Sequence, residues 1–241
     1  TPSSRANLDL GRNDSNNVAS NATGVLNALD GVANLRLNEL NIGRSIRGQS
    51  ATGTLLWDQS GAIDATAIYL SRGTGAVGTI ETPAGGTLKL GSATAPVGFL
   101  RMGWNDTGFA GAASGTLDLT TTNPLFEAVI SNELTLGRQN TSTGVGTADG
   151  TLVLGSNSVL DVGTPTARAN LNLGWNESNN AASDATGELN ALDGVANLRL
   201  NEVNIGRSTR GQSATGTLLW DQAGAIDATA IYLSRGGGAV G

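Results

Sequence analysis

Eight side chains along the 241-residue chain could do chemistry if the fold brought them together: Arg12, Arg44, Arg72, Trp104, Arg138, Trp175, Arg207 and Arg235. Each follows the pattern aliphatic-x-aliphatic-Gly or its Ser variant, as in LDLGR at Leu8–Arg12, IYLSR at Ile68–Arg72 and LNLGW at Leu171–Trp175. Guanidiniums and indoles at one position of a repeating unit would form a strip able to grip acidic glycans or a neighbouring filament. The same residues also suit a corner at which flat side chains stack and donate to carbonyls. Six guanidiniums spaced by one strand, about 4.8 Å, repel one another unless rings or acids intervene. Trp104 and Trp175 supply rings, and Asp14, Asp106 and Glu177 lie two residues beyond their ladder positions. The corner stack is the preferred reading, and the strip is retained as the candidate ligand-binding site.

Other groupings carry less. Polysaccharide lyases and hydrolases built on stacked strands use clustered acids on one face, and Asp58, Asp64, Asp118 and Asp161 are the candidates. Asp58 and Asp64 recur as Asp221 and Asp227. They scale with copy number, as structural parts do, so no enzyme is expected. The triplets Asn13-Asp14-Ser15, Asn105-Asp106-Thr107 and Asn176-Glu177-Ser178 could ligate a hard cation, but Asx turns explain them more simply. These triplets, with Asn21–Thr23 and Asn140–Ser142, also match glycosylation sequons. Threonines at 54, 79, 87, 116, 151 and 217 suggest an ice-binding face, but that needs a flat, regular array while loops and partners vary here, so ladders bonding along a stack are the preferred reading.

The chain has no cysteine and no histidine. That removes disulfides, thiol and imidazole catalysis and almost every transition-metal site, so no cofactor or metal is expected. A net charge of −6 argues against nucleic acid as a partner. No apolar run approaches the ~18 residues of a membrane span, so no membrane insertion is expected here. There is neither an initiator Met nor a signal-peptide pattern, and targeting information is expected to lie elsewhere.

What must position the eight side chains is a repeat. Residues 164–241 reproduce residues 1–78 with a shift of 163 and 66 of 78 positions identical, which points to tandem duplication. One super-repeat (1–163) and the start of the next (164–241) imply a single continuous segment with no internal domain boundary, read as a window on a longer array. Inside the long period hides a shorter one. Measured at the second aliphatic residue of each Leu-x-Leu-Gly block, from Leu10 through Ile42, Leu70, Met102 and Leu136 to Leu173, the steps are 32, 28, 32, 34 and 37 residues. Five units of about 33 residues therefore fill one super-repeat.

Each unit also carries Gly-Thr-Leu-x-aliphatic, at Gly53–Trp57, Gly86–Leu90, Gly115–Leu119 and Gly150–Leu154. A short apolar alternation such as VLDV at Val159–Val162 precedes the next block. These are period-two patterns bounded by Gly, Asn, Ser and Pro, and no 3.6 period is sustained. Three short strands, two tight corners and one longer loop give an all-β, parallel β-solenoid. At about 4.8 Å per coil, one super-repeat rises about 24 Å. The expected core is Leu10, Ile42, Leu70, Met102, Leu136, Leu173, Ile205 and Leu233, with Leu55, Leu88, Leu117 and Leu152 on a second face.

Blocks such as NIGRSIRGQSATGTLLWDQSGAIDATAIYLSRGTGAVGT at 41–79 resemble the repeats of bacterial autotransporter passengers and giant surface adhesins, of the passenger-associated transport type. The resemblance covers essentially the whole chain. It implies an exported, elongated, extracellular or cell-surface role. With the repeat architecture, the first reading of function is a structural segment of a fibrous rod, filament or sheath that self-associates end to end or side by side. Adhesion to surface glycans through the Arg/Trp ladder is the second reading, and a polysaccharide lyase or depolymerase the third.

Overall fold

Apolar alternation in pieces this short leaves strands that cannot fold alone, so each must pair with its own repeats. In the computed structural model, which describes residues 5–17, 19–140 and 144–241, they pair in parallel throughout as an all-β solenoid without helix. Strands are numbered β1–β18 in chain order. The first wall stacks β1 (Ala6–Asn13), β3 (Arg36–Ser45), β5 (Asp64–Arg72), β8 (Val97–Asn105), β10 (Leu125–Gln139), β13 (Ala169–Asn176), β15 (Val195–Ser208) and β17 (Asp227–Arg235). The second stacks β2 (Asn21–Ala28), β4 (Ser50–Trp57), β6 (Ala76–Glu81), β9 (Gly111–Asp118), β11 (Gly146–Val153), β14 (Asp184–Ala191), β16 (Ser213–Trp220) and β18 (Ala239–Val240).

Register follows the sequence blocks. Leu10 pairs with Ile42, then Leu70, Met102, Leu136, Leu173, Ile205 and Leu233 in turn, without slippage at the boundary between the two copies. All but the last are buried, whereas Leu233 is 63% exposed because no further coil lies over it among the described residues.

A third wall is formed by β7 (Thr87–Leu90), the first half of β10, β12 (Ser158–Val162) and the first half of β15. Strands β10 and β15 bend from this wall onto the first, with a register break between Ile130 and Glu133 at the β10 corner. This wall corrects one expectation. Gly-Thr-Leu at residues 86–88 does not belong with the other copies, since Leu88 pairs with Phe126 on the third wall. In that coil the second-wall strand carries Gly-Thr-Ile at residues 78–80, and Ile80 pairs with Leu55. Thr87 accordingly leaves the threonine column, which Val25 and Glu188 also interrupt.

One identical stretch shows context deciding local structure. Residues 195–198 are strand, paired with β12, while the same four residues at 32–35 are not. Strand formation here depends on a neighbouring strand to bond to, more than on intrinsic propensity.

The recurring glycines mark the edge where the first and second walls meet. Gly11, Gly43, Ser71, Gly103, Gly137, Gly174, Gly206 and Ser234 all have φ between 55° and 71°. A Cβ on Gly137 would lie 1.8 Å from the Thr186 carbonyl oxygen, and one on Gly150 would lie 2.3 Å from the Gly137 nitrogen. The two walls therefore touch backbone to backbone, and both glycines of the repeat are needed by the same contact. Ser71 fits because its hydroxyl donates to the Ser114 carbonyl and accepts from the Gly78 N–H at 2.7 Å.

Candidate functional site

The Leu-x-Leu-Gly turn throws the next side chain outward at every coil, so the eight predicted positions form one column. Arg12 pairs with Arg44, and the register continues through Arg72, Trp104, Arg138, Trp175, Arg207 and Arg235. The column is a stack. The Arg138 guanidinium lies 4.3 Å from the Trp104 ring centre and 3.9 Å from that of Trp175, and Arg207 covers the other side of Trp175 at 4.3 Å. Arg101 covers Trp104 at 4.2 Å.

Acids offset part of the remaining repulsion. Asp9 reaches both Arg12, at 3.1 Å, and Arg44, at 3.5 Å. Asp14 pairs with Arg12 of its own coil, but Asp106 pairs with Arg72 at 2.9 Å and Glu177 with Arg138 at 2.9 Å, each one coil back. Where a tryptophan occupies the ladder, its acid thus serves the arginine of the coil before. Burial alone would lower the Arg72 pKa, but Asp106, Tyr69 and Glu39 together hold it above its ordinary value. Arg207 is pushed below the ordinary value by burial, with the neighbouring Arg235 charge adding to it.

Sequence reasoning missed the column beside the ladder. Arg101 donates to Glu133 at 2.8 Å and to the Tyr69 hydroxyl at 2.8 Å, and stacks on Phe99 at 4.5 Å. Tyr69 and Trp104 meet edge to face at 6.2 Å. Ala67, Tyr69, Phe99 and Trp104 thus make a small apolar cluster outside the solenoid. The signal was the outward alternation Glu39-x-Asn41, Phe99-x-Arg101 and Glu133-x-Thr135, two and four residues before the turn. Also unforeseen are clips across three coils. Asp64 pairs with Arg5 at 2.8 Å and Arg36 at 3.3 Å, and Asp227 repeats this with Arg168 and Arg199.

The remaining candidates take structural places. Ser15, Thr107 and Ser178 donate their backbone N–H to Asn13, Asn105 and Asn176, which makes each triplet an Asx turn. These asparagines are buried and their Nδ2 groups are occupied, Asn176 donating to the Ser183 and Ser213 carbonyls at 2.7 Å each. The Asn140 sequon runs into residues 141–143, outside the described residues. Asp58 accepts from the Thr87 N–H at 2.8 Å, Asp161 from Asn197 at 2.7 Å, and Asp118 from the Thr120 hydroxyl and N–H, which hold its pKa below the ordinary value. Among the described residues no three acids are grouped to hold a metal ion, and no helix is long and apolar enough to cross a membrane.

Asp149, on the outer side of the second wall, has its pKa raised by burial and by Asp184, against hydrogen bonds from Thr147 and Thr186. A folded-state pKa above the unfolded one means that stability falls as pH rises through that interval. Asp149→Asn is therefore expected to be slightly more stable than the parent at pH 7, by about 0.5 kcal/mol or less given the group's contact with water. Denaturant titrations from pH 3 to pH 7 should show this difference vanish at the acid end.

Fold and ladder together define a three-walled parallel β-solenoid whose outward charged column lies against its own rings and acids. Compared with known protein families, characterised proteins and solved structures, the chain shows no significant match.

Proposed function

We propose that the chain is a structural repeat segment of a large extracellular fibrous protein of the bacterial cell surface, forming part of a stiff rod, filament or sheath. The observation that carries this reading is the unbroken register: every coil covers the hydrophobic column of the last, and Trp104, Arg138, Trp175 and Arg207 stack on one another. Such a stack resists bending because each coil is tied to its neighbours by continuous backbone hydrogen bonds and shared side-chain columns. Electron microscopy and fibre diffraction of the concentrated chain test self-association. Fibres with a reflection near 4.8 Å along their axis support it, and a monodisperse monomer at millimolar concentration contradicts it.

The glycan-binding reading is less favoured on geometry. Sugar recognition by an aromatic ring needs a free ring face, yet Trp104 and Trp175 each have a guanidinium on both sides. The expected outcome for Trp104→Ala and Trp175→Ala on an immobilised acidic-glycan column is unchanged retention; loss of retention with the fold intact would restore the adhesin.

A further inference from the structure

From β2 to β16, among the described residues, the second wall is continuous except at one place. Strand β4 pairs with β6 through Leu56↔Glu81, and β9 with β11 through Asp118↔Val153, but β6 and β9 pair only from Ala76↔Ala113 to Gly78↔Gly115. These two coils rejoin further on, where Leu125 donates to the Gly86 carbonyl at 2.8 Å. Between these points residues 79–81 and 116–118 part from each other. The opening is a groove of about 420 Å³ with an apolar lining that includes Leu29, Leu56, Ile80, Leu117 and Leu119. Glu81 and Asp118 stand on the same groove, and neither has an ion-pair partner among the described residues.

Thr82 adds an independent sign. Continuing the register by one residue places it in the inward column that holds Ala28, Trp57, Leu119, Leu154 and Ala191 in other coils. It is 7% exposed, lines the groove, and its hydroxyl has no hydrogen-bond partner among the described residues. A buried hydroxyl without a partner is unfavourable, and here a polar guest could supply one.

We propose that this opening binds a short extended peptide segment in which basic and apolar side chains alternate. The guest main chain takes up hydrogen bonds along residues 79–81 and 116–118, as an added strand does. Its apolar side chains fill the lining, and its basic ones meet Glu81 and Asp118. The same carboxylates repel acidic guests. The site does not depend on the rod reading, because it lies between two inner coils.

The test titrates the full chain with the acetylated, amidated peptide Leu-Lys-Leu-Lys-Leu and with its Leu-Glu counterpart, following backbone amide shifts. The expected result is perturbation confined to residues 79–82 and 116–120 by the basic peptide alone. Affinity should fall about tenfold in Glu81→Gln, an exposed position whose change leaves the fold intact, and should weaken with salt. Thr82→Val should weaken binding while circular dichroism shows an intact sheet. Equal binding of the acidic peptide, perturbation elsewhere, or no binding at millimolar peptide would overturn the proposal.

Discussion

Gly137→Ala is expected to destabilise the chain by about 3 kcal/mol or more. A Cβ at φ +66° contributes about 1–2 kcal/mol of backbone strain. Contact with the Thr186 carbonyl oxygen at 1.8 Å would force the two walls apart, at a further cost of about 1–3 kcal/mol. Gly31 is the control, since it has φ +78° but no atom within 4 Å of the place its Cβ would take. Gly31→Ala should therefore cost only the strain, about 1 kcal/mol. Denaturant midpoints of the two variants measure the difference, and equal losses would show that the walls do not touch at the glycine edge. Ser71 sharpens the point. Ser71→Ala keeps the strain and removes the hydroxyl that bonds both Ser114 and Gly78, so it should be worse than Ser71→Gly.

Arg138→Ala should remove about 2–3 kcal/mol. The guanidinium contacts two indole faces, each worth about 0.5–2 kcal/mol, and bonds Glu177. Arg138→Lys keeps the charge without the plane and should recover less than half. A double-mutant cycle with Glu177→Gln isolates the ion pair, with an expected coupling of about 1 kcal/mol. Arg12→Ala, a half-exposed position with only carboxylate partners among the described residues, should cost about 0.5 kcal/mol or less. If Arg138→Ala were as mild as Arg12→Ala, the ladder would not hold coils together.

The coil boundaries were legible because one constraint imposes them. The turn after Leu10, Ile42 and their equivalents needs a left-handed residue against a facing backbone, so Gly or Ser recurs and sets the period. The third wall was less legible, because its strands use the same short alternation as the second. Gly-Thr-Leu at 86–88 therefore passes for a second-wall strand until Leu88 is seen beside Phe126. The ladder's identity was visible, but its counter-ions were only half so. That Asp106 and Glu177 serve the preceding coil is a fact of stacking distance, absent from linear spacing. The opening beside Thr82 left only a faint trace, a polar residue in an apolar column, whose register was hidden until β6 was placed.

The rod reading places the chain outside the cell, as part of a repeated fibrous layer. Immunogold labelling of intact, unpermeabilised source cells with antibody raised against the 241-residue chain tests this most directly. The reading predicts gold along filaments or a sheath beyond the cell envelope. Labelling that appears only after permeabilisation, dispersed through the interior, would contradict it.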